Sequence, residues 1–320
     1  MSEMLEIKNL SVEYNIEKTV VHALDQVSLS IGTKGTIGVV GESGSGKTTL
    51  GMCIMNLIEP PGKISTGQVS YLGKNILDLP DKALRKYRWE EVAMIYQSAM
   101  NSLNPVKTVT HPIVEVLRHH KGMSKVEATE KAINLLKDVG INPSRANSYP
   151  HEMSGGMRQR VVIALALALS PKILIADEPT SALDVVTQKQ ILALIKREIT
   201  QNNQSMIFIT HEIALLNGLV EEIAVMYAGE VVERGKLADV IAKPFHPYTE
   251  MLLSTILAVD SPKRDLAGFA TAAKERAVSK QMNACRYSNR CKYAFDRCSR
   301  ERPLLKESDN GRLVACHKYN

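Results

Sequence analysis

Residues 35–48 read Gly35-Thr-Ile-Gly-Val-Val40-Gly41-Glu-Ser-Gly-Ser-Gly46-Lys47-Thr48. A short run of buried-type residues passes into a glycine turn, and Thr48–Leu57 then has the spacing of a helix. From Gly41 the stretch fits GxxxxGK[ST] in full, placed where a strand feeds a helix. The glycines permit backbone angles that turn successive N–H groups inward, forming a nest for phosphate oxygens. The helix N-terminus adds its dipole. Lys47 is placed to neutralise β- and γ-phosphates, and the Thr48 hydroxyl to ligate Mg²⁺. The candidate nucleotide set is therefore Gly41, Ser43, Gly44, Ser45, Gly46, Lys47, Thr48 and Thr49.

The second half of such a site is an apolar strand ending in carboxylates, and Ile173-Leu-Ile-Ala-Asp177-Glu178 supplies it. The strand would hold Asp177 rigidly for Mg²⁺. Glu178, one step further and on the other side of the pleat, would polarise an attacking water.

Outward from these two segments, the chain alternates strands and helices. Leu5, Ile7 and Leu10, then Val20, Ala23 and Leu24, then Val27, Leu29 and Ile31 alternate in the manner of strands. Gln68–Leu72, Val92–Tyr96 and Ile207–Thr210 are further strands, and Ile223–Tyr227 with Glu230–Glu233 reads as a hairpin through Ala228-Gly229. Residues 98–152 change to helical signals, with Val114–His120 and Lys125–Val139 in helical spacing, and Val185–Ile199 is another helix. This order predicts an α/β fold around a largely parallel sheet. Asp260–Ser279, small, polar and charged, reads as a linker or a loosely packed helix.

Phosphate loop and carboxylate strand alone specify a P-loop NTPase. Met153-Ser154-Gly155-Gly156-Met157-Arg158-Gln159-Arg160, before an apolar helix, resembles the signature sequence of ABC-transporter ATPases, with Met153 and Met157 where Leu and Gln are commoner. The resemblance spans about residues 4–240. It implies an ABC-type fold: a mostly parallel RecA-like core, an antiparallel β part and a helical subdomain, here 98–152 within a domain of 1–240. It further implies that Ser154, Gly155 and Gly156 of one subunit cap the γ-phosphate held by another. Gln97 matches the loop glutamine that contacts Mg²⁺ and leads to the transmembrane partner. Asp184 of Ser181-Ala-Leu-Asp184 matches the loop crossing the dimer interface, His211 the switch histidine, and Tyr14 the aromatic that stacks on adenine. Glu178, His211 and Gln97 are thus the implied catalytic residues.

Asn101-Ser-Leu-Asn-Pro105 and His246-Pro-Tyr-Thr249 resemble the ATPase subunits of oligopeptide/dipeptide importers, a group that also serves nickel and oligosaccharides. The glutamine context Tyr96-Gln-Ser-Ala-Met-Asn departs from the commoner Gln-Asp-Pro. His-Pro-Tyr itself is a helix-start turn without a catalytic role. The implied partners are a second ABC ATPase subunit (itself or a paralogue), two transmembrane permease subunits and an extracytoplasmic substrate-binding protein, with the chain peripheral on the cytoplasmic face of the membrane.

The remaining residues, 241–320, form a C-terminal extension that holds Cys285, Cys291, Cys298 and Cys316 with gaps of five, six and seventeen residues, His317 following. Zinc modules pair cysteines more closely. In the importer group such a segment is associated with a [4Fe–4S] cluster; zinc and unliganded thiols are the alternatives. Residues 261–320 hold 14 Lys/Arg against 6 Asp/Glu, whereas residues 1–260 hold 26 against 28. Arg286, Arg290, Lys292 and Arg297 would offset the negative charge of a four-thiolate cluster, which accounts for the basic tail without nucleic acid. Cys53 reads as a small buried side chain.

At 320 residues and 44% hydrophobic composition, the chain has the make-up of a globular protein with a substantial core, not of a disordered or collagen-like one. Its longest uncharged apolar stretch, Val161–Leu169, is far short of the ~18–20 residues that span a bilayer. The start MSEMLEIKNL lacks the pattern of a signal peptide. A soluble ABC ATPase acting on DNA or the ribosome is the competing class. Such chains carry tandem domains or a long coiled coil, whereas only 106 residues separate Lys47 from Ser154 here, without a long heptad run.

Overall fold

The computed structural model describes residues 3–16, 19–97, 102–259, 283–308 and 311–319, with backbone alone for 255–259. The segment Asp260–Ser279, read as a linker or a loosely packed helix, and the residues 98–101 after the loop glutamine lie outside these. In chain order the strands are β1 (Glu3–Ile16), β2 (Thr19–Gly32), β3 (Thr36–Val40), β4 (Gly62–Tyr71), β5 (Lys74–Asn75), β6 (Val92–Ile95), β7 (Ile173–Asp177), β8 (Ser205–Thr210), β9 (Glu222–Tyr227), β10 (Glu230–Lys236), β11 (Lys306–Glu307) and β12 (Leu313–Val314). The helices are α1 (Lys47–Ile54), α2 (Asp81–Lys86), α3 (His111–Lys121), α4 (Lys125–Asp138), α5 (Gly155–Leu167), α6 (Val185–Gln201), α7 (Leu237–Ala242), α8 (Pro247–Val259) and α9 (Asp296–Arg300).

Two compact units emerge. The first comprises Gly32–Gly35 and Ile76–Phe208. Its strands β6 and β7 are buried at every residue and pair in parallel, from Val92↔Ile173 to Ile95↔Ala176, with β8 beside β7. A continuous apolar run of this kind is what a strand covered on both faces requires. The helices α3 and α4 fall within the predicted helical stretch. A capping box starts α4: Ser124 Oγ accepts from the Glu127 N–H, and the Glu127 carboxylate accepts from the Ser124 N–H.

The second unit comprises Glu3–Ile31, Thr36–Asn75 and Ile209–Asn320. One of its sheets is antiparallel in the order β2-β1-β4-β5, with Leu5 opposite Tyr71 and Tyr14 opposite Gly62. In its other sheet β11, β12, β10, β9 and β3 are successive neighbours; β3 and β9 are parallel, and the hairpin β9–β10 turns at Ala228-Gly229 as expected. The first N-terminal apolar group lies in β1 and the second and third together in β2, each strand being 14 residues long; β1 shifts register against β4 around Ser11, where its alternation breaks. The helix predicted at Thr48–Leu57 ends at Ile54. The C-terminal tail, read from sequence as an extension, adds β12 to the edge of β10 through Glu233↔Val314. Among the described residues no helix is long and apolar enough to cross a membrane.

Candidate active site

In the second unit, β3 delivers the chain into the glycine turn. A Cβ on Gly41 would lie 2.2 Å from the Met226 carbonyl oxygen, so only glycine fits there. Gly46, with φ near +98°, would bring a Cβ to 2.4 Å from the Ala23 carbonyl. Gly46 also opens α1, and no side chain caps that helix start. Lys47 is buried, its Nζ donating to the carbonyls of Gly41 and Glu42 at 2.8 Å each, with Ser45 Oγ at 3.4 Å. Ser43, Gly44 and the hydroxyl-bearing Thr48 are exposed, Thr49 half-buried. A glycine turn, an uncapped helix start and a confined ammonium thus meet in one loop. Tyr14, half-buried on β1, lays its ring over Gly62. His211 follows β8 directly and is exposed, with Nε2 3.6 Å from the Glu212 carboxylate. On α1, Cys53 is buried as predicted, and burial pushes its thiol up to about 12.

In the first unit, β7 ends at Asp177, which is 1% exposed. Glu178 has φ near +45°, and its carbonyl accepts from the N–H and hydroxyl of Ser181 at 3.1 and 3.0 Å. Gln97 Nε2 donates to Glu178 Oε2 at 2.9 Å. The parallel register explains this meeting: Ile95 faces Ala176, and two further residues on each chain are Gln97 and Glu178. The strand expected at Val92–Tyr96 stops at Ile95, and Gln97 sits in the turn beyond it.

Ser154 is the N-cap of α5, its Oγ accepting from the Met157 N–H at 3.3 Å, and Gly155 and Gly156 are the first two helical residues. Met153 is buried, which suits the position where Leu is commoner. Asp184 caps α6: Oδ1 accepts from the N–H groups of Val186 and Thr187, and Oδ2 from the Thr187 hydroxyl at 2.6 Å. The Thr187 hydroxyl and N–H hold the Asp184 carboxyl below its usual range.

The cysteine segment folds onto the second unit. Burial pushes the Cys285 thiol up to about 12 and raises those of Cys291 and Cys316, each raised further by neighbouring thiols of the same set. The Cys285 N–H donates to the Cys298 carbonyl at 3.0 Å. Among the described residues, however, no group of three or more His, Cys, Asp or Glu stands where it could hold a metal ion. The expected charge offset by arginines also takes a different form, because each basic residue has a carboxylate partner. Arg286 pairs with Asp25 and Glu230, Arg290 with Glu42, Lys292 with Glu250 and Arg297 with Glu301. Arg302 joins Asp25 and Glu230, and Arg312 pairs with the wholly buried Glu233. Arg286, Arg290, Lys292, Arg302 and Arg312 thus answer acidic groups outside the tail, a relationship invisible in a sequence where the partners stand up to 277 residues apart, whereas Arg297 pairs within it.

Comparison with known proteins places these features. Residues 24–181 match the family described as ABC transporter, and residues 232–298 that described as oligopeptide/dipeptide transporter, C-terminal region. The oligopeptide transport ATP-binding protein AppD of Bacillus subtilis is 40% identical over 322 residues, covering 100% of this chain and 98% of that protein. The dipeptide transport ATP-binding protein DppD of Escherichia coli is 40% identical over 316 residues, covering 98% and 96%. Among solved structures, a dimeric post-hydrolysis state of the ATP-binding cassette MJ0796 bound to ADP and Pi is similar, with a TM-score of 0.66, 32% identity, and coverage of 73% of this chain and 99% of that one. The chain belongs to the ABC transporter family, as an ATP-binding subunit of the oligopeptide/dipeptide type.

Proposed function

We propose that the chain hydrolyses ATP to drive import of di- or oligopeptides, peripheral on the cytoplasmic face of the membrane. Whole-length similarity to peptide-transport ATP-binding proteins, tail included, carries this reading. Its partners are a second ATPase subunit, two permease subunits and an extracytoplasmic binding protein. Residues 1–240 serve as the ATPase domain, with 98–152 as its helical part, and 241–320 as the importer-type extension. Deleting the gene should abolish uptake of labelled di- and tripeptides, restored by the parent chain but not by Glu178→Gln. Loss of nickel or oligosaccharide uptake with peptide uptake intact would refute the cargo.

The loop from Gly41 to Thr49 takes the phosphates, Lys47 countering their charge, while Tyr14 stacks on adenine. The glycine approach at Gly41 and the uncapped start of α1 fit that role. Thr48, Gln97 and Asp177 offer the oxygen donors that Mg²⁺ takes, and the ion supplies charge against the phosphate oxygens. Glu178 polarises the water that attacks the γ-phosphorus while the bond to the ADP oxygen breaks. The Gln97 amide N–H fixes one orientation of that carboxylate and leaves its own oxygen as an acceptor. His211 holds the γ-phosphate. Ser154, Gly155 and Gly156 cap a nucleotide held by the second subunit, and Asp184, by fixing the start of α6, shapes the interface loop. A dimer closed over ATP differs in affinity from the open one, and that difference is what moves the permease.

For the four cysteines a [4Fe–4S] cluster remains the proposal. What supports it is the spacing of Cys285, Cys291, Cys298 and Cys316, wider than that of zinc modules, together with the association of such a segment with this cluster in the importer group. Such a cluster would supply cationic iron to the cysteine sulfurs, three of which, Cys285, Cys291 and Cys316, burial otherwise favours as thiols. Anaerobic purification with iron, sulfide and zinc analysis tests it: about four irons and four sulfides per chain are expected. Stoichiometric zinc, or no metal, would refute it.

A further inference from the structure

Glu42, inside the phosphate loop, is gripped at three points. Its N–H donates to the Tyr248 hydroxyl at 2.8 Å. Its carbonyl accepts from Lys47 Nζ at 2.8 Å and from the Ser45 N–H at 3.2 Å. Its carboxylate takes two N–H groups of Arg290, both at 2.8 Å, as a bidentate pair. Arg290 stands between Cys285 and Cys291, 248 residues from Glu42.

The guanidinium is itself seated. It lies 5.6 Å from the Tyr227 ring and 5.7 Å from the Tyr287 ring. Those rings and that of Tyr248 touch one another, with centroids 4.7 to 5.5 Å apart. The Arg290 side chain is 11% exposed and that of Glu42 is 40% exposed. The arginine is therefore the fixed member of the pair and the loop residue the held one. A bidentate fork sets orientation as well as distance. A phosphate loop works by aiming several backbone N–H groups at one place, so a small displacement of its backbone is felt in binding. Because Lys47 is anchored on the Glu42 carbonyl, a shift at Glu42 also moves the ammonium.

We propose that Arg290, together with Tyr248, is a positioning residue for ATP: acting through Glu42, it sets the geometry of the phosphate loop, which makes the C-terminal segment part of the nucleotide site. This rests on the reading of residues 41–48 as the phosphate site. It does not depend on any metal at the cysteines.

The test uses the full chain, with steady-state ATPase and equilibrium binding of a fluorescent N-methylanthraniloyl ATP. Arg290→Ala and Glu42→Gln should each raise the KM for ATP and the Kd of the probe about three- to tenfold, with kcat changed less than about twofold. The double variant should lose no more than either single one, and the charge swap Glu42→Arg with Arg290→Glu should recover part of the affinity. Arg300→Ala, which breaks the exposed Arg300–Asp296 pair in the same segment, should change neither constant. Unaltered KM and Kd in Glu42→Gln, or additive losses in the double variant, would overturn the proposal. So would a fall in kcat and melting temperature at constant KM, the signature of a merely structural role. Lys47→Ala separates the two readings. If it binds the probe like the parent, the loop assignment fails and the inference with it. If it loses the probe while Arg290→Ala and Glu42→Gln keep it, only the inference fails.

Discussion

The side-chain amide of Gln97 donates to the Glu178 carboxylate at 2.9 Å, and the parallel pairing of β6 with β7 brings the two residues level. One oxygen of Glu178 is thereby held, and the backbone at φ near +45° is pinned by Ser181. For the water-orienting role proposed for Glu178, being held in advance is an advantage. Gln97→Ala should lower kcat by about tenfold or more while ATP affinity falls much less. Equal losses in both would point to a binding role alone.

Gly41 cannot take a side chain without moving backbone, since the Met226 carbonyl would be 2.2 Å away and Ser45 Oγ 2.6 Å. Gly41→Ala is expected to cost about 1–3 kcal/mol of stability and to weaken ATP binding by at least about tenfold. Urea denaturation and nucleotide titration on the same preparation would check both. Unchanged values would mean that the approach is looser than described.

Much of this is legible in the sequence. GxxxxGK[ST] and an apolar strand ending in two carboxylates have local causes, so position along the chain suffices to read them. The meeting of Gln97 with Glu178 is almost as local, because it follows from one strand pairing. What stayed hidden depends on distant partners. The carboxylates Asp25, Glu42, Glu230 and Glu233 receive arginines from the tail, and nothing near any of them in sequence announces it. The tail's basic character is visible in the sequence, but the carboxylates that receive it are not. His246-Pro-Tyr likewise looked like a turn alone, whereas Tyr248 reaches the phosphate loop.

Asp25, Glu230, Arg286 and Arg302 form a buried network that ties the cysteine segment to β2 and β10. Burial raises the Glu230 carboxyl, partly countered by Arg302 and Arg286. Arg286→Ala leaves Asp25 and Glu230 to share Arg302 alone and should destabilise the chain by about 1–3 kcal/mol. Replacing exposed Arg300 should change the denaturation midpoint little; equal effects would contradict the network's importance.

His246 is buried, its Nδ1 accepts the Tyr248 N–H at 3.0 Å, and burial pushes its pKa down to about 3. In the unfolded chain it titrates near 6.5. The fold keeps it neutral, so its contribution to stability is complete above about pH 6.5 and is lost as pH falls toward 3, by up to ~1.4 kcal/mol per pH unit. His246→Asn, whose amide oxygen can accept the same N–H, should flatten the pH dependence of the denaturation midpoint between about pH 6.5 and 4.5. An identical slope in both chains would show that other groups set it.

The most direct test of the catalytic account is single-turnover hydrolysis of γ-labelled ATP by Glu178→Gln beside the parent chain. The variant should bind Mg-ATP as tightly as the parent, accumulate as an ATP-bound dimer and release phosphate at least about 10²-fold more slowly. Release at the parent rate would contradict the assignment of Glu178 as the residue that activates water.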